Sequence, residues 1–366
     1  MNAAPRGRLL VIGTGLIGTS IALAARAAGY DVALDDSDEE QLALAESVGA
    51  GRRRAAGERF DLAVAAVPPG AVGVVVDRLL RESTVPVVTH TASVQLEPQR
   101  EVEAHQPGCD RYVGSHPIAG RERSGPHHAS ADLFEQRPWV ICPTAHSSGA
   151  AVAAVTDLAL ACGAVVTQMS ADEHDAVLAR LSHVPQLLAS ALAASLLGLD
   201  RAEVALAGAG LRDTSRLADS DAGMWAGIAA ANPAGIAAAL RGVLDPLERL
   251  VEVLEQRPDA TEPAVRELVE AGRRGRAMLT GKHGQAAVRW ASVAVVVPDE
   301  PGALARLFSD AADAGVNVED IRVDHSPGLP VGIVELDVSA QHHEVLASAL
   351  TRQGWTATAS PPASGG

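Results

Sequence analysis

His116 stands directly before Pro117 in the stretch GSHPIAGRERSG, residues 114–125, with Arg121, Glu122 and Arg123 a few positions on. Imidazole is the side chain that ordinarily takes up and releases a proton near neutrality. A guanidinium grips a carboxylate through two parallel hydrogen bonds. The stretch therefore predicts a loop in which a base meets an anionic substrate. A second cluster, Arg212, Asp213, Thr214, Ser215 and Arg216, follows Gly208 and Gly210. It reads as a glycine loop that captures an anion, with Asp213 orienting one arginine; a solvated loop with local ion pairs is the alternative. The chain has a single lysine, Lys282, so proton transfer within residues 1–281 falls to His, Asp or Glu. His183, just before Val184 and Pro185, is read either as a functional group or as a core or kink histidine. His174 is read as a structural or surface residue. The adjacent pairs His127–His128 and His342–His343 lack partner ligands at helical spacing, which predicts surface histidines and no metal.

A third group of residues would hold a cofactor. In RLLVIGTGLIGTSIALAARAAGYDVALDDSD, Gly13, Gly15 and Gly18 form G-x-G-x-x-G between an apolar run and an Ala-rich run. An acidic residue follows about 20 positions on, the context that the dinucleotide fingerprint requires. Gly13 permits the tight turn, Gly15 lets backbone approach a pyrophosphate, and Gly18 lets the helix lie against the sheet. Leu16 and Ile17 open that helix, whose N-terminus carries the positive end of the dipole. Asp36 would accept hydrogen bonds from both ribose hydroxyls and repel a 2′-phosphate. No arginine follows it directly, so NAD is favoured over NADP. A glycine turn without cofactor is the competing reading.

These groups need elements to position them. Apolar runs at Leu62 to Val67 and in VPVVTH, RYVGSHP and PWVICP predict further strands of a doubly wound parallel sheet continuing to about residue 165. The glycine loop, HTASVQ and the His116 stretch would then meet beyond the carboxyl ends of the strands, where such sheets bind ligands. Residues 166–282 turn to helical periodicity, opening at Ser170 with Glu173 three residues later as a capping box. After GKHGQAAVRW the pattern becomes strand, helix (about 302–314), strand, strand, helix (about 341–352), strand. That βαββαβ order is ferredoxin-like. The domains predicted are 1–165, 166–282 and 290–360.

Composition narrows the function classes. A formal net charge of −15 and the absence of a basic block argue against nucleic acid; Arg52 to Arg54 is too short for one and reads as a solvated loop. The start of the chain has no signal-peptide pattern, and no apolar stretch is long and uninterrupted enough for a membrane span. Three scattered cysteines suit a reducing compartment, so a cytoplasmic protein is expected. Apolar content of 47% with only 2% aromatics fits closely packed Ala-rich helices.

Residues 8 to about 280 resemble the prephenate/arogenate dehydrogenase family. The resemblance rests on the glycine entry, ASV, GSHPIAGRERSG, DEHDAVLARLSHVP and RDTSRLADSDAGMW. PDEPGALARLF and GVNVEDI resemble the ACT domain, a small-molecule regulatory module. The resemblance implies a Rossmann-type sheet, an all-helical second domain that dimerises, and NAD-dependent oxidative decarboxylation of prephenate or arogenate. It implies that His116 is the catalytic histidine and that Ser93 helps orient the ring hydroxyl. Arg216 would hold a substrate carboxylate, with Arg212 nearby, and Glu122 would act as a gate or ion-pair residue at the pocket mouth. His183 would line the pocket, and Trp225 would reach toward a partner subunit's site. The ACT resemblance implies Asp299, Gly302 and Asn317 as effector contacts, with tyrosine as the expected effector; an ACT fold used only for dimerisation is the alternative. The chain departs from the family pattern at His90 (often Asp), Gln95 (Lys) and Gln186 (a second pocket histidine). A dehydrogenase of an amino-substituted prephenate, or a weakly catalytic sensor of NAD and an amino acid, are the competing functions.

Overall fold

A computed structural model describes residues 6–82, 84–119, 125–279, 290–325 and 331–360. The chain divides into two compact units, residues 1–251 and 252–366.

The first unit is built on an eight-stranded sheet. Strand β1 (Arg8–Ile12) runs into α1 (Leu16–Ala27), β2 (Asp31–Asp35), α2 (Glu39–Ser47) and the two-residue β3 (Arg52–Arg53). Then come β4 (Leu62–Ala65), α3 (Val72–Arg81), β5 (Val88–His90), α4 (Leu96–His105), β6 (Tyr112–Pro117), β7 (Pro138–Pro143), α5 (Gly149–Ala161) and β8 (Val165–Gln168). The sheet order is β3-β2-β1-β4-β5-β6-β7-β8. The inner strands are continuous apolar runs because helices cover both faces. Leu9, Leu10 and Val11 of β1 are fully buried in alternating directions, Leu9 and Val11 with α1 and α5, Leu10 with α3.

The sheet is not wholly parallel. β7 pairs antiparallel to β6, with His116 opposite Val140, before β8 resumes parallel pairing with β7. The link from β6 to β7 holds no α-helix among its described residues, so no parallel crossover is built there. Arg52 and Arg53 are also not a simple loop: they pair in parallel with Ala33 and Leu34.

Beyond β8 the unit is helical. α6 (Ala171–Leu178) begins with the Ser170–Glu173 capping box. One π-helical turn (Ala179–His183) joins it to α7 (Val184–Ala194). Next come α8 (Arg201–Val204), α9 (Ala209–Ser215), a 3₁₀ turn (Arg216–Ala218), α10 (Ala222–Ala231) and α11 (Pro233–Gln256), within which the division between units falls. The continuous run 171–198 is long and apolar enough by composition to cross a membrane. Its His174 and Asp175, however, are buried and hydrogen-bonded to His116 of β6 and to Gln95 after β5, which argues for a packed helix of a folded unit.

The second unit holds α12 (Thr261–Ala277), then β9 (Trp290–Pro298), α13 (Ala303–Asp313), β10 (Val318–His325), β11 (Val331–Ser339), α14 (His343–Arg352) and β12 (Thr356–Ser360). The four strands form an antiparallel sheet in the order β10-β11-β9-β12. Burial alternates along β11, the period of a strand with one covered face. Val293, Val295, Leu336 and Val338 pack there against Leu307, Leu346 and Leu350 of the two helices.

Candidate active site

The glycine loop is shaped by what it excludes. Gly13 has φ +92°, and a Cβ there would lie 2.3 Å from the carbonyl oxygen of Ala66. A Cβ on Gly18 would lie 1.9 Å from the carbonyl oxygen of Gly13. A Cβ on Gly15 would meet nothing within 4 Å, and Gly15 caps α1 without a side-chain hydrogen bond. The loop therefore presents open backbone and an uncapped helix N-terminus, with Leu16 and Ile17 as its first residues. This fits a pyrophosphate.

Asp36 closes the other side. Its Oδ2 accepts from the Thr14 backbone N–H (2.5 Å) and hydroxyl (2.7 Å), and Oδ1 accepts from the Asp38 N–H (2.9 Å). A cavity of about 380 Å³ opens beside it, lined in part by Asp35, Asp36, Arg53, Arg54 and Gly57. The folded chain thus brings arginines where the sequence reading had none. They are already committed to carboxylates. Arg53 lies 2.7 Å from Glu39, while Arg54 pairs with Glu82 and lies 3.7 Å from Asp35. The carboxylate of Asp36, rather than an absence of arginine, is what argues for NAD.

His116 is not on a loop. It is in β6, buried, in the last turn of the strand before the chain leaves the sheet. Its neighbour Ser115 is anchored: the hydroxyl donates to the His90 carbonyl oxygen (2.8 Å) and accepts from Thr89 (3.0 Å). Burial, then the charges of His174, His90 and His183, hold the His116 imidazole well below its usual range, so it is neutral at pH 7.

His90 explains one departure from the family pattern. Its Nδ1 accepts from the Ala92 N–H (3.1 Å), which leaves Nε2–H to donate to the Tyr112 hydroxyl (2.9 Å). It thereby pins the turn that leads to Ser93, which is part-exposed past the end of β5. Burial pushes the His90 imidazole down to about 3. Gln95, in the lysine position, donates to the carbonyl oxygens of Ala92 (2.7 Å) and Ser115 (3.1 Å), tying the same turn to β6.

His174 is neither a surface residue nor remote from the chemistry. It is fully buried, its Nε2 lies 2.9 Å from His116 Nδ1, and its Nδ1 lies 2.8 Å from Asp175 Oδ1. Asp175 also accepts from the backbone N–H groups of Gln95 (2.9 Å) and Leu96 (3.0 Å). Sequence reasoning missed this pair because 58 residues separate His174 from His116. The DEHD run that carries both residues was the available signal.

On the helical side, His183 is buried at the end of the π-helical turn and Trp225 meets it edge-on, ring centroids 6.1 Å apart. Both His183 ring nitrogens and the Trp225 Nε1 are buried without a hydrogen-bond partner. Orphaned buried polar atoms are rare and suit a ligand that completes them. Gln186 joins α7 to the turn that follows α9. Its amide donates to the Leu217 carbonyl oxygen (2.7 Å), and its Oε1 accepts from the Ser220 hydroxyl (3.2 Å). It latches the turn that carries Arg216. Arg212 and Arg216 are exposed; they lie on helix α9 and the following 3₁₀ turn rather than a glycine loop, and Arg212 donates to the Ala207 carbonyl oxygen (2.9 Å). Glu122 lies outside the described residues. Among the described residues no group of His, Cys, Asp and Glu could hold a metal ion.

In the second unit, Asp299 is exposed in the turn before α13, and Gly302 opens that helix at φ +88°. Asn317 donates to Glu319 (2.5 Å).

A neutral buried imidazole can take the proton of a substrate hydroxyl, and the cradle would hold a dinucleotide able to accept hydride from the same carbon. Comparison with known proteins agrees. Residues 21–168 match the family described as "Prephenate dehydrogenase, nucleotide-binding domain", and residues 170–270 match "Prephenate dehydrogenase, dimerization domain". The probable prephenate dehydrogenase NovF of Streptomyces niveus is 36% identical over 95% of this chain and 98% of its own. The cyclohexadienyl dehydrogenase of Zymomonas mobilis is 32% identical over 65% of this chain and 83% of its own. The crystal structure of prephenate dehydrogenase from A. aeolicus, in complex with hydroxyphenyl propionate and NAD+, superimposes with a TM-score of 0.68 at 25% identity, covering 76% of this chain and all of that one.

Proposed function

The chain belongs to the prephenate dehydrogenase family of NAD-dependent oxidoreductases, and on that premise we propose that it converts prephenate to 4-hydroxyphenylpyruvate with loss of carbon dioxide. The observation that carries the reading is His116: a buried, neutral imidazole at the carboxyl end of its strand, beside the turn that bears Ser93.

Bound NAD supplies a hydride acceptor. His116 takes the proton of the ring hydroxyl as hydride leaves the same carbon. The bond from the ring to its carboxylate breaks, carbon dioxide departs, and the electron pair enters the ring. The ring becomes aromatic, and the phenol oxygen recovers a proton. Ser93 orients the hydroxyl, and Arg216, with Arg212 near it, holds a carboxylate. His183 and Trp225 offer the polar atoms that a bound substrate would satisfy. Placement of the substrate against the cofactor supplies the entropic share of the rate.

The test is NADH or NADPH formation by the purified protein offered prephenate or arogenate with NAD or NADP. Turnover with prephenate and NAD is expected. Preference for arogenate would move the substrate, and no turnover with any pair would overturn the reading.

The same reading divides the chain into a Rossmann domain (1–165), a helical domain (166–282) and an ACT domain (290–360). Support for the last is the βαββαβ order and the ferredoxin-like strand order. With Asp299, Gly302 and Asn317 at its turn, the ACT domain would bind tyrosine; a calorimetric titration without heat would remove that effector. A homodimer is supported by the family's dimerisation domain and by exposed Leu181, Leu197 and Leu206. A cytoplasmic location is supported by three free cysteines.

A further inference from the structure

His116 does not stand alone. Asp175 Oδ1, His174 and His116 form an unbroken buried chain, with contacts of 2.8 Å and 2.9 Å. The chain has a direction. A carboxylate only accepts, so His174 Nδ1 must carry the proton given to Asp175. The Nε2 of neutral His174 is then a bare acceptor, and His116 Nδ1 must carry the proton between the rings. The lone pair of His116 is left on Nε2, the nitrogen not engaged by His174. Asp175 is itself held by the N–H groups of Gln95 and Leu96, and its carbonyl oxygen accepts from Asn232 (2.9 Å), so the chain is anchored from two other elements.

We infer that His174 and Asp175 are positioning residues for the reaction: they fix His116 with a bare Nε2 and take over the positive charge when His116 accepts the substrate proton. This rests on the proposal that His116 is the base. The step balances. The substrate O–H bond breaks as an Nε2–H bond forms on His116; the His116 Nδ1–H bond breaks as an Nε2–H bond forms on His174. His116 ends neutral and His174 ends as an imidazolium against the carboxylate of Asp175. The reverse transfers return a proton to the phenol oxygen.

The surroundings favour that transfer. Among the described residues, the titratable groups facing His116 are His90 from β5, His174 from α6 and His183 from the π-helical turn, all imidazoles. A charge kept on His116 would be buried among them, with no described carboxylate bonded to it. A charge on His174 lies within hydrogen-bond distance of one.

The experiment compares wild type, His174→Gln and His116→Asn. A glutamine carbonyl can still accept from His116 Nδ1–H but cannot take a proton. For His174→Gln, kcat should fall roughly 10- to 100-fold, part of the ~10²–10⁴ that a positioned base contributes. KM and NADH binding should be unchanged. The acid limb of the kcat–pH profile should move to lower pH, because protonating an isolated buried imidazole is harder. Wild-type kcat with an unmoved limb would reduce His174 to packing and overturn the inference. If His116→Asn itself keeps turnover, the base assignment fails, and the relay with it; an inactive His116→Asn beside a normal His174→Gln removes the relay alone. Should His174→Gln not fold, ¹⁵N spectra of histidine-labelled wild type decide. Both His116 and His174 should carry their proton on Nδ1 at pH 8, and an Nε2–H tautomer on His116 would overturn the inference.

Discussion

Three residues that break the family pattern divide between two physical roles. His90 and Gln95 tie the Ser93 turn to the sheet, and Gln186 ties the Arg216 turn to α7. The change at Gln186 is therefore expected to act through a neighbour. Gln186→Ala removes the side chain that joins α7 to the Leu217 carbonyl and the Ser220 hydroxyl, which keep only their bond to each other (2.8 Å). Expressed as a looser Arg216, the change should raise the KM for substrate roughly tenfold, the equivalent of about 1.4 kcal/mol, with NAD binding unaltered. Steady-state kinetics beside an NADH fluorescence titration checks this. A raised NADH dissociation constant with an unchanged KM would place Gln186 elsewhere in the machinery.

At the scale of elements, the glycine turn separates fold from binding. Gly18→Ala forces a Cβ into the carbonyl oxygen of Gly13, so α1 must move off the sheet, and a clear fall in Tm is expected. Gly15→Ala meets open space at φ −68° and should keep its Tm, while its methyl group occupies the approach to the pyrophosphate and weakens NAD binding. Calorimetric melting and NADH titration of the two variants should therefore give opposite patterns. Loss of Tm in both would show that Gly15 also serves the fold. The antiparallel β7 is the element that periodicity could not orient. PWVICP reads as an apolar strand in either direction, because pattern reports burial and not polarity of the chain.

For the molecule as a whole, three buried imidazoles couple stability to pH in one direction. Burial lowers His90 to about 3 and also depresses His116 and His183. The unfolded chain, whose histidines titrate near 6.5, then binds more protons than the folded one at mildly acid pH. The stabilisation is complete above about pH 6.5 and is lost progressively as pH falls toward the folded values. Tm should be level from pH 8 to 7 and decline below 6.5, before carboxylates titrate. A level Tm down to pH 5 would contradict three neutral buried imidazoles.

The sequence by itself determined most of the elements and the glycine turn, since glycine spacing, caps and apolar runs act over neighbouring residues. The Ser170–Glu173 box and the βαββαβ order of the second unit were legible for the same reason. It also marked His116, through a rare cluster of residue types. It did not pair His116 with His174, bring Arg53 and Arg54 to Asp35 and Asp36, or join Gln186 to the turn that carries Arg216. Those are contacts across strands and helices distant in sequence. Only the packing of α6 against the end of β6 and the turn after β5, and of α7 against the turn that carries Arg216, decides which polar atoms meet.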